Sequence, residues 1–299
     1  RDFAVGSVEE ACDLRNAGIR GSILNMRLFR PGQAREIVRR GILQAVFEPA
    51  QVAVLSRAAR SMGKRARIQV KIDTGMGRFG IRWEHAASFI QSLRGNPRLE
   101  FLGTFSTLTE DTDFDREQIR RLRYVREKAG PVPRETWHIA SSNGLLHHPD
   151  DPFEAARVGS LLYGFPPSRE KGLPLSQVAR LEAYVTAVRP VRKGNRVGYY
   201  SAPVATRTGR MAMLGIGRIH GLDTRLAGKG QVLIRGRLHP VHSVGGEYTL
   251  VELATRTTVR TGEKAVLIGS QAKRSITTAQ WAAWLGLGPY YAMMLFGTR

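Results

Sequence analysis

Residues 70–80 read Val-Lys-Ile-Asp-Thr-Gly-Met-Gly-Arg-Phe-Gly. At the head of this stretch Ile68, Val70 and Ile72 alternate with Gln69, Lys71 and Asp73, the period-two pattern of a strand whose two faces meet different surroundings. Gly75 and Gly77 then let the chain turn closely, which returns Arg78 toward the strand end that carries Lys71. Two cations converging on one strand end suggest a site. The plainer alternative is a strand end tied by an ion pair to Asp73.

Outward from this strand, the first half of the chain repeats a short apolar strand followed by an amphipathic helix. Strands are expected at Phe3 to Val5, Ser22 to Met26, Leu43 to Phe47, Arg67 to Asp73, Leu99 to Ser106, Thr136 to Ala140 and Ala155 to Gly159. Ser7-Val-Glu-Glu10 forms a capping box and Gly18 stops the helix it opens, while Trp83 to Leu93 and Asp115 to Lys128 carry apolar residues at helical spacing. Repeated βα units predict a parallel sheet. Seven of them make an α/β, TIM-type (β/α)8 barrel missing its first unit, which would precede Arg1. Such a barrel would keep two open sheet edges and be poorly stable by itself.

Beyond Gly164 to Pro174 the rhythm changes to short strands between turns: Leu181 to Val191, Met211 to Ile216, Gln231 to Leu238, Tyr248 to Glu252 and Lys264 to Ile268, with one late helix from Thr277 to Leu285. This is a C-terminal antiparallel β domain. The expected division is residues 1–172 for the barrel and 173–299 for the β domain.

The 299 residues are 42% hydrophobic, as in a globular protein, with no run long enough for a membrane helix and no secretory signal, so the expected address is the cytoplasm. Cys12, the single cysteine, excludes an internal disulfide framework and is read as a small apolar helix residue. The net charge of +21 comes mostly from arginines scattered along the chain, such as Arg39, Arg40, Arg57, Arg120 and Arg121. They are read as a solvated surface, because nucleic-acid-binding tracts are clustered and interleaved with aromatics. His147-His148-Pro-Asp150-Asp151 lacks helical metal-ligand spacing and is read as a solvated turn; no metal is expected. Neither a P-loop nor a dinucleotide fingerprint is present.

In a (β/α)8 barrel, chemistry gathers at the carboxyl ends of the strands and phosphate is held after the last two. His138-Ile-Ala-Ser-Ser142 ends one strand in hydroxyls. Arg157-Val-Gly159-Ser160 ends the next with a glycine and a serine at an apparent helix start, where backbone N–H groups suit a phosphate.

Taken with these segments, VKIDTGMGRFG, HIASSNGLLHHPD, FEAARVGSLLYG, VGYYSAP and RTGEKAVLIG occur in the order and spacing of alanine racemases, and the chain resembles that family over almost its whole length. The family comprises pyridoxal-phosphate enzymes of fold type III. The resemblance implies a barrel that binds the cofactor, a β domain, a homodimer whose sites are completed by the partner subunit, and a small amino acid such as alanine as substrate. It matches Lys71 to a lysine often carbamylated to orient Arg78, and Arg78 to an arginine at the cofactor's phenolic oxygen and the substrate. Ser142, Gly159 and Ser160 match phosphate binders, with His138 counted among the cofactor-binding residues. Arg157 matches the arginine facing the pyridine nitrogen, which its fixed charge keeps unprotonated.

The resemblance also shows departures. The family's Schiff-base lysine lies upstream of the residues matched here, and none of the chain's lysines stands in its motif. The family's catalytic tyrosine, in a GYADG motif, is matched by Arg218 in Gly217-Arg-Ile-His-Gly221, and a guanidinium cannot act as a base at neutral pH. His220 stands two positions on and is read as a plain surface or core histidine. The histidine supporting that tyrosine is matched by Thr107, the segment VCMD by Val244-Gly-Gly-Glu247, and a late phosphate-binding tyrosine by Thr298. The expectation is therefore an amino-acid racemase by family, with this chain inactive as given. The alternative is a non-catalytic homologue that binds cofactor or acts as a dimeric interaction module; a nucleic-acid-associated protein has only the charge in its favour.

Overall fold

The computed structural model describes residues 2–130, 132–151, 153–165, 172–198, 204–288 and 294. The Tyr199 to Pro203 part of VGYYSAP and Thr298 lie outside them. Two compact units result, Arg1–Gly159 and Ser160–Arg299.

The first unit holds β1 (Phe3–Val5), β2 (Ile23–Asn25), β3 (Leu43–Val46), β4 (Ala66–Asp73), β5 (Ile81–Arg82), β6 (Leu99–Phe105), β7 (Thr136–Ser141) and β8 (Ala155–Arg157). Its parallel path β1-β2-β3-β4-β6-β7-β8 forms a near-closed barrel, with the two-residue β5 paired to the end of β4. The seven expected strands are these, apart from a residue or two at their ends. The helices are α1 (Val8–Asn16), α2 (Ala34–Arg39), α3 (Pro49–Ser61), α4 (Trp83–Arg94), α5 (Thr112–Ala129) and α6 (Ser142–His147).

Local chemistry sets these boundaries. Ser7 Oγ accepts from the N–H of Glu10, but the Glu10 carboxylate accepts from Gly6 rather than from Ser7, so the box closes one residue early. Gly18, at φ +82°, ends α1 while Ile19 N–H reaches back to the Leu14 carbonyl. In α5 the buried Ile119, Leu122, Val125 and Ala129 make the core-facing stripe, and Asp111 caps its start.

Ile68, Val70 and Ile72 of β4 pack with helical residues such as Leu55, Ile90 and Leu122 in one large core. Leu24, Leu43, Ala45 and Phe105 form a separate cluster inside the ring of strands. Each fully buried side chain of this kind contributes roughly 1.5–3 kcal/mol. Cys12 packs against the helical core as a half-buried apolar residue, and burial pushes its thiol up. Expected surface arginines stand in ion pairs, Arg39 and Arg40 with Glu36, Arg120 and Arg121 with Glu117.

The second unit is antiparallel: β9 (Leu181–Val191), β10 (Gly209–Leu214), β11 (Gln231–Ile234), β12 (Arg237–Val244), β13 (Thr249–Leu253), β14 (Lys264–Gln271) and β15 (Arg274–Ile276), then α7 (Thr278–Leu285) capped by Thr277. The order is β11-β12-β13-β10-β9-β14-β15, and a further β11–β14 pairing closes six of the strands into a ring. The single strand expected at Gln231 to Leu238 is a hairpin instead. Arg235 and Gly236 take φ of +52° and +72°, the turn that pairs Ile234 with Arg237. The apolar residues on both sides hid that turn, because Arg-Gly is a weaker signal than Asn-Gly.

Candidate active site

The side chains that matter stand at the carboxyl ends of the barrel strands. On β4, Gln69 and Lys71 face away from the helical core and are buried, at 5% and 6% exposure. After Asp73 the chain loops through Gly75 and Gly77, at φ +139° and +71°, and returns as β5 beside Ile72 and Asp73. Gly80 permits that return, since a Cβ there would lie 2.5 Å from the Asp73 nitrogen. The Asp73 carboxylate accepts from Gly75 N–H at 2.9 Å and Gly77 N–H at 3.1 Å. It holds the loop. Among the described residues no ion pair joins Asp73 to Lys71 or Arg78, so the ion-paired strand end is not what forms.

Lys71 Nζ lies 5.5 Å from the Phe105 ring centre and 5.7 Å from that of Phe79. Burial first, then the positive charges of Arg78, Arg157 and Arg27, bring its ammonium down to about 8, against the pull of Asp73. The pocket is rich in cations, and among the described residues no carboxylate pairs with Lys71. Arg78 itself is exposed.

The seam between β7 and β8 carries the second half of the site. A register shift between His138 and Ser141 places Arg157 opposite Ser141. Arg157 Nη1 meets His138 Nδ1 at 2.7 Å, while Nη2 donates to the carbonyls of Ser106 at 2.7 Å and Ile139 at 3.2 Å and reaches the Thr107 hydroxyl at 3.5 Å. Burial brings the guanidinium down to about 10, with Asp151 acting the other way, so it stays charged at neutral pH. His138 stacks flat on Phe105, 5.2 Å between ring centres and 5° between planes, and its Nε2 lies 3.0 Å from Gln69 Oε1. Its imidazole is held down to about 3 by burial and by Arg157.

Ser142 Oγ accepts from Gly159 N–H at 2.9 Å, leaving the hydroxyl proton to donate elsewhere. A Cβ on Gly159 would meet nothing within 4 Å, so open space lies over that backbone. Ser160 opens only one 3-10 turn, Ser160–Tyr163, in the second unit, where the sequence suggested a helix start. A single 3-10 turn gives too few aligned N–H groups for a helix dipole.

The structure thus brings Lys71, Arg78, His138, Ser142, Arg157 and Gly159 to one end of the barrel. Arg218 belongs to the second unit, exposed at the start of a 3-10 turn, its N–H donating to the Gly245 carbonyl at 3.0 Å. There His220 Nδ1 accepts from Gly217 N–H at 3.1 Å, which makes it a turn cap. The His147 to Asp151 segment corrects its reading as a solvated turn. His148 is buried, with Nε2 3.5 Å from Asp115 Oδ2, because α5 presents that carboxylate inward. No metal-binding group of acids, histidines or cysteines occurs among the described residues.

Three participants escaped the sequence: Gln69, Phe105 and Arg27. Only Gln69 left a signal, its place two residues before Lys71 on the same strand face.

Compared with known proteins, residues 1–167 match the family model "Alanine racemase, N-terminal domain" and residues 178–299 match "Alanine racemase, C-terminal domain". The alanine racemase of Syntrophobacter fumaroxidans is 32% identical over 296 residues, 96% of this chain and 79% of that relative. That of Symbiobacterium thermophilum is 31% identical over 289 residues, 94% of this chain and 77% of its own. Among solved structures, alanine racemase from D-cycloserine producing Streptomyces lavendulae superposes with a TM-score of 0.89 at 27% identity, covering 100% of this chain and 81% of that one. The Bacillus anthracis alanine racemase with bound L-Ala-P gives 0.86 at 26% identity, covering 98% and 78%.

Proposed function

The chain belongs to the alanine racemase family, and from that premise we propose that it serves a pyridoxal-phosphate-dependent amino-acid racemase interconverting L- and D-alanine or a close relative. The observation that carries the reading is the excess of positive charge at the barrel mouth, where burial and the charges of Arg78, Arg157 and Arg27 depress Lys71 against Asp73 alone. A cofactor with an anionic phosphate and a phenolic oxygen supplies the missing negative charge. The residues fit it. Ser142 offers a free hydroxyl proton, and Gly159 leaves open space beside it; Ser160 follows in the chain.

Pyridoxal phosphate, when bound, supplies an electron sink that loosens the α-proton of an amino acid. Arg157 holds a charge that no nearby base removes, so it would keep a facing ring nitrogen unprotonated. Lys71, lowered toward neutrality, is nucleophilic enough to take up carbon dioxide: its amine nitrogen bonds the carbon and one proton leaves. The resulting carbamate anion would stand among three arginines and orient Arg78.

A second reading rests on Arg218. A guanidinium donates hydrogen bonds and takes up no proton, so a site completed by it would move protons from one face only or none. That reading makes the chain a cofactor-binding or dimeric homologue without racemase turnover.

The deciding experiment adds pyridoxal phosphate to the protein as its own cell makes it, then follows the visible absorbance and the formation of D-alanine from L-alanine. Binding with turnover supports the racemase. Binding without turnover for any small amino acid leaves the second reading, and neither binding nor turnover overturns both.

A further inference from the structure

The contact between Arg157 and His138 forces a chain of assignments. A guanidinium offers only N–H donors, so the ring nitrogen 2.7 Å from Nη1, His138 Nδ1, must be the bare one. The imidazole therefore carries its proton on Nε2, which requires an acceptor. Gln69 Oε1 stands 3.0 Å away. The amide of Gln69 then has one permitted orientation, oxygen toward the ring.

Water is a poor substitute here, because His138 and Gln69 are each only 5% exposed. Phe105 lies flat against the ring and blocks a tilt to another partner. The barrel is also irregular at this point. β4 and β6 shift register between Ile68 and Val70, opposite Gln69, the kind of bulge that re-aims a side chain beside a site. The low proton affinity of His138 agrees with the same assignment.

We propose that Gln69 is a positioning residue: it fixes the Nε2–H form of His138, and through the bare Nδ1 it aims Arg157 at the barrel mouth. The inference rests on reading that mouth as a pyridoxal-phosphate site. Arg157 is gripped from two sides, by His138 on Nη1 and by the Ser106 and Ile139 carbonyls on Nη2. If the ring lost its fixed form, only the second grip would remain.

The test observes the ring nitrogens of His138 by NMR in the 15N-labelled full chain without cofactor. Expected are a bare Nδ1 and a protonated Nε2, unchanged from about pH 5 to about pH 9. Gln69→Leu removes the acceptor and should mix the two neutral forms, weakening pyridoxal-phosphate binding about tenfold or more. Gln69→Glu restores an oxygen at the same reach and should return the Nε2–H form and most of the affinity, which a filler of space would not do.

A charged ring or an Nδ1–H form in the unaltered chain overturns the proposal, whether or not the variants fold. So does a Gln69→Leu protein with unchanged ring signals and affinity. If the unaltered ring behaves as expected while pyridoxal phosphate fails to bind, the cofactor reading falls and the ring assignment to Gln69 stands.

Discussion

Arg157 and His138 stand 2.7 Å apart between Nη1 and Nδ1, an arrangement in which burial and then the permanent cation keep the imidazole neutral. In the unfolded chain His138 takes up a proton below about 6.5, whereas in the fold it does so only near 3. Its folded value is the lower one, so stability is lost as pH falls from about 6.5 toward 3. The full loss is roughly 5 kcal/mol. In urea titrations at pH 6.5, 5 and 4, His138→Gln should show a visibly flatter decline than the parent. Parallel curves would show that His138 does not carry this acid sensitivity.

Lys71 gives the opposite slope. Its ammonium is lowered to about 8 from 10.5, so the unfolded chain binds more protons between those values and stability rises with pH across them. Discounted for water at the barrel mouth, the charged lysine costs the cofactor-free fold roughly 1–2 kcal/mol at neutral pH. Lys71→Met should recover that amount at pH 7 and less at pH 10. Bicarbonate should raise the melting temperature of the parent and leave Lys71→Met unmoved; an equal response in both would remove the carbamate from the account.

Arg218 separates the two functional readings. Replacing Arg218→Tyr puts a phenol where the family holds one, and racemisation should rise by about a hundredfold or more, the scale of one added acid/base group. A rise in kcat with pyridoxal-phosphate affinity unchanged is the expected signature. No gain would mean that other departures on the same face, such as Gly245 and Gly246, also limit turnover.

The Arg235-Gly236 turn offers a test of the fold that involves no function. Gly236 has φ +72°, and a Cβ there would lie 3.0 Å from the Ala272 Cβ. Gly236→Ala should therefore cost about 1–2 kcal/mol by denaturant melting. A neutral result would mean that the hairpin takes another turn.

What was legible in the sequence was local. Strand β4 declared itself through alternation, α5 through its stripe, and the Asp73 to Gly80 loop through its glycines. The hairpin at Arg235 stayed hidden because its turn depends on backbone angles that an apolar flank does not advertise. His148 was misjudged because a loop histidine is buried against Asp115 of α5, a residue more than 30 positions away in the chain.

By itself the sequence determined the order of the seven strands on the barrel path, since hydrophobic period, caps and turn residues act over a few positions. It also determined the kinds of group present at the strand ends. Only the tertiary structure decided which of them meet. Gln69 and His138 lie 69 residues apart, Arg157 and His138 19, and Arg157 and the Ser106 carbonyl 51. Closing strands into a barrel sets those neighbours, and donor and acceptor polarity then leaves one arrangement that satisfies Gln69, His138 and Arg157 together.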